Sequence, residues 1–225
     1  MIDKKYGKLL NIGLIVGAII IIGLLVFWGI QIYQNYFVNK EAEEVVDEFL
    51  ADDTSQNKTN NEVEDVALNV SNLEIATSDT TNSKIAKKTY KGFTMDGIIE
   101  IPKINLRYPV LDRATEKSME VAVGINYGPG LNKVGNTVIM GHNSSNGTFF
   151  SNLEKLKEND PIYITDNDKA KLKYVVYKMY TTTPEDLDYY TRDTEGKREI
   201  SLSTCMTNDT SHRLVIWARE AENQN

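Results

Sequence analysis

The sequence predicts a mostly β domain, closed as a barrel or packed as a sandwich, carried behind one N-terminal transmembrane helix. Three features predict it: a long apolar run near the N-terminus, a polar acidic stretch after it, and short β-type runs separated by turn residues from about Lys91 onward.

The chain has 225 residues, enough for one domain of ordinary size plus non-globular segments. Residues 1–8 form a short N-terminus and residues 9–33 the span. No charge falls between Leu9 and Asn39, and Leu9 to Tyr33 is apolar apart from Asn11 and Gln31. A helix rising about 1.5 Å per residue needs roughly 20 residues to cross a hydrocarbon core about 30 Å thick. Lys4, Lys5 and Lys8 precede the span and Glu41, Glu43 and Glu44 follow it, which places the N-terminus in the cytoplasm and the rest of the chain outside. Phe27, Trp28, Tyr33, Tyr36 and Phe37 at the exit read as an interfacial aromatic belt, so the span is an uncleaved anchor.

Residues 34–90 read as an acidic polar stalk. The part from 52 to 83, rich in Asp, Asn, Ser, Thr and Glu, buries too little apolar surface to offset its ordering entropy. Within it, Val45, Val46, Phe49 and Leu50 share a helical face, so Glu41 to Leu50 opens as a short amphipathic helix continuing from the span.

The domain covers residues 91–225. Strands are expected at Gly97 to Ile101, Ile104 to Val110, Thr137 to Gly141, Ile162 to Thr165, Lys171 to Tyr180, Arg198 to Thr204 and Arg213 to Ala218. Pro102, which cannot donate to a ladder, confines the first pair to an edge or bend. Helical turns are expected at Glu116 to Val123, Phe149 to Leu156 and Pro184 to Tyr190. Such a density of strands points to a closed barrel or a sandwich.

The net charge of −7 is concentrated: residues 40 to 83 hold 12 acidic and 2 basic side chains, and residues 84 to 225 hold 19 and 20. The domain therefore lacks the basic excess of a nucleic-acid binder. A single cysteine excludes an internal disulfide and a cysteine-built zinc site, leaving Cys205 as core filler, intermolecular crosslink or reactive thiol.

Position favours the last. Cys205 ends the run Ile200 to Thr204 and precedes a polar loop, where it can face a cleft. Arg213 opens the next apolar run, so the two strand ends meet if a hairpin-like loop joins them. His142 stands where the apolar run Thr137 to Met140 emerges into a polar loop, on a rigid element. A free thiol with a pKa near 8.5 is only a few per cent thiolate at neutral pH. An imidazolium and a guanidinium beside it favour the thiolate, the guanidinium can donate to an oxyanion, and the imidazole can protonate a departing amine.

These residues resemble the sortases of Gram-positive bacteria. The likeness is an ordered set over roughly residues 93 to 219: Gly-Ile-Ile-Glu-Ile-Pro-Lys-Ile, Gly-His-Asn before Phe149 and Leu153, Asn159 to Ile162, Ser-Leu-Ser-Thr-Cys, and His-Arg-Leu-Val-Ile. Sortases usually carry Thr-Leu-x-Thr-Cys, so Ser201 departs from the motif while Leu202, Thr204 and Cys205 keep it. The resemblance implies a closed eight-stranded β-barrel with Cys205 on the seventh strand, Arg213 on the eighth and His142 after the fourth. It also implies a membrane-bound transpeptidase that cleaves a Leu-Pro-x-Thr-Gly-like sorting signal on surface proteins or pilins. The acyl group would pass to an amine of a peptidoglycan precursor or pilin, without a cofactor. The loop Thr181 to Glu199 is short for the class that inserts a long helix there, and neither a lid nor a second span is read, so a class D-like or general anchoring enzyme is expected.

Ser203 and Thr204 are expected at the substrate groove, although packing on the barrel wall explains them equally well. His212, on the opposite strand face from Arg213, reads as structural or surface. Arg107, Arg113 and Arg219 read as solvated or paired surface charges, and Asp209 as a turn residue. No metal site is expected: Asp160, Asp166 and Asp168 offer carboxylates for calcium but read as a solvated turn. Two enzymatic rivals are weighed, and one without activity. An L,D-transpeptidase would set its cysteine in Ser-x-Gly-Cys-x-Arg, and a papain-like hydrolase would order cysteine before histidine. The non-enzymatic rival is an anchored β-domain, adhesin or sensor, with Cys205 merely buried.

Overall fold

The structure is a computed structural model that describes residues 4–56, 88–144, 146–207 and 209–222. It opens with one continuous helix, α1 (Lys4–Gln56). Among the described residues, Ile12–Tyr33 is long and apolar enough to cross a membrane. Its large apolar side chains point outward, Trp28 being 69% exposed, a surface that calls for a hydrocarbon partner.

The helix does not stop where the stalk is expected to begin. It runs on to Gln56, and Ala42, Val46 and Phe49, spaced to share one face, are buried. Asp47 pairs with Arg107 at 2.6 Å, Glu41 with Lys91 at 2.9 Å, and the Lys169 ammonium stands 3.4 Å over the Phe49 ring. The stretch of α1 from Asn39 to Phe49 thus docks on the strands, in keeping with the amphipathic face read at Glu41 to Leu50. Most of the expected flexible stretch, residues 57–87, lies outside the described residues.

The strands are β1 (Thr89–Tyr90), β2 (Phe93–Ile101), β3 (Leu106–Leu111), β4 (Val123–Tyr127), β5 (Gly135–Met140), β6 (Pro161–Asp166), β7 (Lys171–Thr182), β8 (Arg198–Met206) and β9 (Asp209–Glu220). Their order is β1-β2-β3-β4-β5-β8-β9-β7-β6, and β6 pairs back onto β2, so β2 to β9 form an eight-stranded ring with β1 as an appendage. The pairs β3–β4 and β5–β8 are parallel and the others antiparallel.

Two strands escape the sequence pattern. β1 is too short to show alternation. β4 lies where a helical turn was expected to reach Val123; the helix α2 (Glu116–Met119) is a single turn closed by a Thr115/Ser118 capping box. Gly124 then lets β4 run against the preceding backbone, because a Cβ there would stand 2.9 Å from the Ala114 nitrogen. Pro102 leads a 3-10 turn, Pro102–Ile104, that bends the chain between β2 and β3. A second such turn, Leu153–Lys155, falls inside the expected Phe149 to Leu156.

Alternation along the strands builds three apolar layers. Ile99, Ile101, Val110, Ile139, Ile164, Val176, Leu202 and Ile216 fill the ring. On its outer side Met95, Ile98 and Leu111 meet Val46 and Phe49 of α1. On the outer face of β5, β8 and β9, Val138 and Val215 lie under Tyr189, carried by the loop between β7 and β8. The last layer flanks the candidate site.

Candidate active site

Parallel pairing sets His142 and Cys205 side by side. Met140 pairs with Ser203 in the β5–β8 register, and His142 and Cys205 each lie two residues further along. Hydrogen bonds on either side of His142 keep the strands together beyond that point. Thr204 Oγ1 donates to the Gly141 carbonyl at 2.8 Å, and Asn143 Nδ2 donates to the Cys205 carbonyl at 2.9 Å. Gly141 is required at the bend, since a Cβ would come within 2.7 Å of Val123 Cγ1 and 3.0 Å of the Phe150 ring.

The loop after His142 folds back on itself. Phe150 N donates to the His142 carbonyl at 3.0 Å, and Ser151 Oγ accepts from Ser144 N at 2.9 Å while donating to the Ser144 carbonyl at 2.8 Å. Phe149 takes a positive φ of 53°, unusual for a bulky residue, and is held by Tyr108, its ring 5.4 Å away. Tyr108 in turn donates its hydroxyl to Asn39 of α1, so the loop is braced against α1 by two aromatic rings. Burial pushes the Tyr108 hydroxyl up to about 12, which keeps it protonated as a donor.

On the other flank Arg213 is the cross-strand partner of Cys205, and its Nη1 donates to Sγ at 3.1 Å. The same nitrogen donates to the Thr210 carbonyl at 3.1 Å. The pairing shifts immediately afterwards, from Cys205–Arg213 to Met206–Asp209, leaving Thr210, Ser211 and His212 as a bulge in β9. That bulge supplies the carbonyl that steadies the guanidinium. The thiol is half-buried and free.

His212 lies in the bulge and is tied to Asp209 at 2.6 Å, with Ser211 Oγ 3.0 Å from its Nδ1. Hydrogen bonds from the Ser211 hydroxyl, then from His212, hold the Asp209 carboxyl below its usual range. Ser203 and Thr204 are buried, Ser203 Oγ lying 3.2 Å from the Tyr189 hydroxyl. Of the arginines read as surface charges, Arg219 pairs at 2.8 Å with the buried carboxylate of Glu199. Asp166 accepts from the Asp168 and Ala170 amides at 3.0 Å, as a turn residue does. Among the described residues no three His, Cys, Asp or Glu groups converge as a cation site would need.

Two contributors were not singled out in the sequence. Asn143 follows His142 directly, and its amide reaches both the Cys205 carbonyl and Thr207 Oγ1, the latter at 3.1 Å. Tyr189 roofs the outer face of β8 from an irregular loop that carries no periodic signal. The arrangement offers a thiol between a histidine-bearing strand exit and a fixed guanidinium, a layout suited to nucleophilic attack on a carbonyl.

Comparison with known proteins identifies the family and the fold. A Sortase domain matches residues 99–221. The chain is 36% identical over 123 residues to Sortase A of Bacillus anthracis, covering 53% of this chain and 57% of the relative. It is 29% identical over 171 residues to Sortase SrtE1 of Streptomyces coelicolor, covering 68% and 47%. The chain thus spans about half the length of the curated relatives it matches. Among solved structures, a lid mutant of Sortase A from Corynebacterium diphtheriae superposes with a TM-score of 0.53 at 34% identity, covering 58% of this chain and 72% of that one. A pilus-related Sortase C of Group B Streptococcus gives 0.53 at 27% identity, covering 58% and 69%. With more than half its length matched by the family's domain and its ring of strands shared with solved members, this chain belongs to the sortase family.

Proposed function

We propose that the protein is a membrane-anchored transpeptidase working through a thioacyl intermediate on Cys205. The observation that carries this reading is the 3.1 Å contact from Arg213 Nη1 to Cys205 Sγ, with His142 at the neighbouring strand exit. Family membership supports transpeptidation in general; the residue roles and the substrate are our assignment.

In this mechanism Cys205, as the thiolate, attacks the carbonyl of a Leu-Pro-x-Thr-Gly-like sorting signal on a surface protein or pilin. Arg213 shifts its hydrogen bond from sulfur to the oxyanion that forms. His142 protonates the departing amine and later takes the proton of the incoming one. Ser203, held by the Tyr189 hydroxyl on the same face of β8 as Cys205, shapes the floor of the groove, while Thr204 turns to the opposite face and braces the Gly141 carbonyl behind it. Ile12–Tyr33 anchors the enzyme with its N-terminus in the cytoplasm and the barrel outside, where sorting signals emerge.

The test is to incubate the full chain, in detergent micelles, with a library of Leu-Pro-x-Thr-Gly-like peptides and amines and to search for an acyl adduct by mass. An adduct on Cys205, lost in Cys205→Ala, is expected. Peptide cleavage that survives Cys205→Ala would refute the mechanism, and hydrolysis with no amine product across the panel would make the enzyme a protease.

A further inference from the structure

A polar cleft of about 260 Å³ opens beside the candidate site, lined by Asn143, Ser144, Ser151, Asn152, Glu154 and Thr207, with Gly147 at its edge. It shares a wall with the nucleophile's own strand, because Asn143 bonds both the Cys205 carbonyl and Thr207 Oγ1. Thr207 Oγ1 in turn lies 3.4 Å from Glu154 Oε2. The carboxylate thus contacts the residue two positions past Cys205 directly, and the Thr207 hydroxyl links it to Asn143. Glu154 is the sole ionisable group among the described lining residues, so the lining carries a negative charge at neutral pH.

The order of strands gives this recess its meaning. In the sequence β5-β8-β9, Cys205 on β8 has Arg213 on one side and the His142 strand exit on the other. An acyl group on Sγ directs its oxygen towards the guanidinium, which leaves the His142 side for the nitrogen. The cleft lies on that side. A primary amine is an ammonium at neutral pH, and the recess offers it one carboxylate and a set of hydroxyl and amide oxygens.

We infer that this cleft is the entry subsite for the acceptor substrate, a primary amine arriving as an ammonium drawn in by Glu154. The inference rests on the transpeptidase reading above. In the step it serves, the ammonium first loses a proton to solvent. The neutral nitrogen attacks the thioester carbonyl carbon, the C–S bond breaks with its electron pair returning to Cys205, and the proton shed as the amide forms passes to His142. Glu154 takes no part in bond making; it raises the local concentration of the cation.

The experiment reads how one acyl-enzyme divides between two acceptors, a ratio independent of how fast the enzyme acylates or how much of it is folded. The full chain in detergent is acylated with a peptide found in the library screen. Triglycinamide, cationic at pH 7, and hydroxylamine, neutral at that pH, then compete for it. Glu154→Gln is expected to shift the product ratio about three- to fivefold towards the hydroxamate, in line with a solvent-exposed ion pair. Glu154→Lys is expected to shift it about tenfold, and Glu154→Asp to stay near wild type. Raising the salt to about 0.5 M should shrink the difference between wild type and Glu154→Gln. A ratio unmoved by both Glu154→Gln and Glu154→Lys overturns the inference while leaving the transpeptidase reading intact. Absence of any acyl-enzyme in the wild type overturns both.

Discussion

Asn143 Nδ2 donates to the Cys205 carbonyl at 2.9 Å, fastening the loop that carries His142 to the strand that carries the thiol. Because Asn143 touches neither Sγ nor a reacting atom, it is a positioning residue. Asn143→Ala removes one hydrogen bond, a cost of about 1 kcal/mol to the local fold. The expected kinetic signature is a roughly tenfold loss of kcat with KM within about twofold, since small misplacements of reacting groups are costly. Asn143→Asp sets a carboxylate against the Cys205 carbonyl and near the thiolate. A negative charge there disfavours ionisation, so the pH–rate profile and the rate of thiol alkylation should move to higher pH. Equal profiles for wild type and Asn143→Asp would remove Asn143 from the site.

Arg213 reaches Sγ with a nitrogen that the Thr210 carbonyl also holds, so its reach depends on a branched, planar group. Lysine keeps the charge but cannot serve the carbonyl, the thiolate and an oxyanion with a fixed fork. Arg213→Lys should therefore lower kcat by about 10² to 10³, the range for loss of one oxyanion donor, with a smaller change in KM. Steady-state cleavage of the preferred peptide measures this. A variant with near-normal kcat would show that Arg213 acts only as a bulk charge.

The placements legible in the sequence were those that follow from position on a regular strand. Ile200 and Leu202 alternate with Ser201 and Ser203, which fixes the face of Cys205, and His142 ends an apolar run that could only be a buried strand. Where local pattern competes with tertiary contact, the reading stopped short. Val123 to Tyr127 is too brief and too glycine-dependent to announce a strand until Arg113 and Ala114 are beside it. Arg219, read as a solvated or paired surface charge, is paired, but its partner could not be named because nothing in its neighbourhood reveals the Glu199 carboxylate across β8–β9. Glu41 to Leu50 read as an amphipathic helix, but the surface that receives its apolar face was not legible, because partners such as Tyr108 and Leu111 lie about 60 residues away.

Glu199 is a buried carboxylate serving Tyr177, Arg192 and Arg219, with Tyr177 at 2.7 Å and Arg219 at 2.8 Å. Burial alone would raise its pKa, but the hydrogen bonds from Tyr177, Arg192 and Arg219 outweigh it and hold the carboxyl below the ordinary 4.5. A depressed folded-state value means that the ionised form stabilises the fold fully above about pH 4.5, and that this stabilisation is lost as pH falls through the lower folded-state value. Glu199→Gln leaves Arg192, 10% exposed, without its counter-charge. Breaking a buried pair in this way should cost roughly 3 kcal/mol at pH 7. Thermal melts at pH 7 and pH 3 check it: the gap between wild type and variant should narrow at the lower pH. A constant gap would show that the carboxylate's charge contributes nothing.

Phe49 is 2% exposed, sealed between the barrel and the Lys169 ammonium, and it closes the face that Ala42 and Val46 begin. If this packing holds α1 on the barrel, the anchor is a rigid strut. About nine residues at 1.5 Å each separate Tyr33 from Ala42, so the barrel is held within about 15 Å of the end of the apolar span. Phe49→Ala removes most of the buried ring, an expected loss of about 2 to 3 kcal/mol from the docking contact. In hydrogen exchange on the micelle-bound chain, the amides of residues 41–50 should then exchange about 50-fold faster, while those of β5, β8 and β9 keep their protection. Tyr108→Phe, which loses only the bond to Asn39, should loosen the same segment to a smaller degree. Fast exchange of residues 41–50 already in the wild type would mean that the helix is a free tether, and that the distance between membrane and active site is set by the chain beyond Gln56.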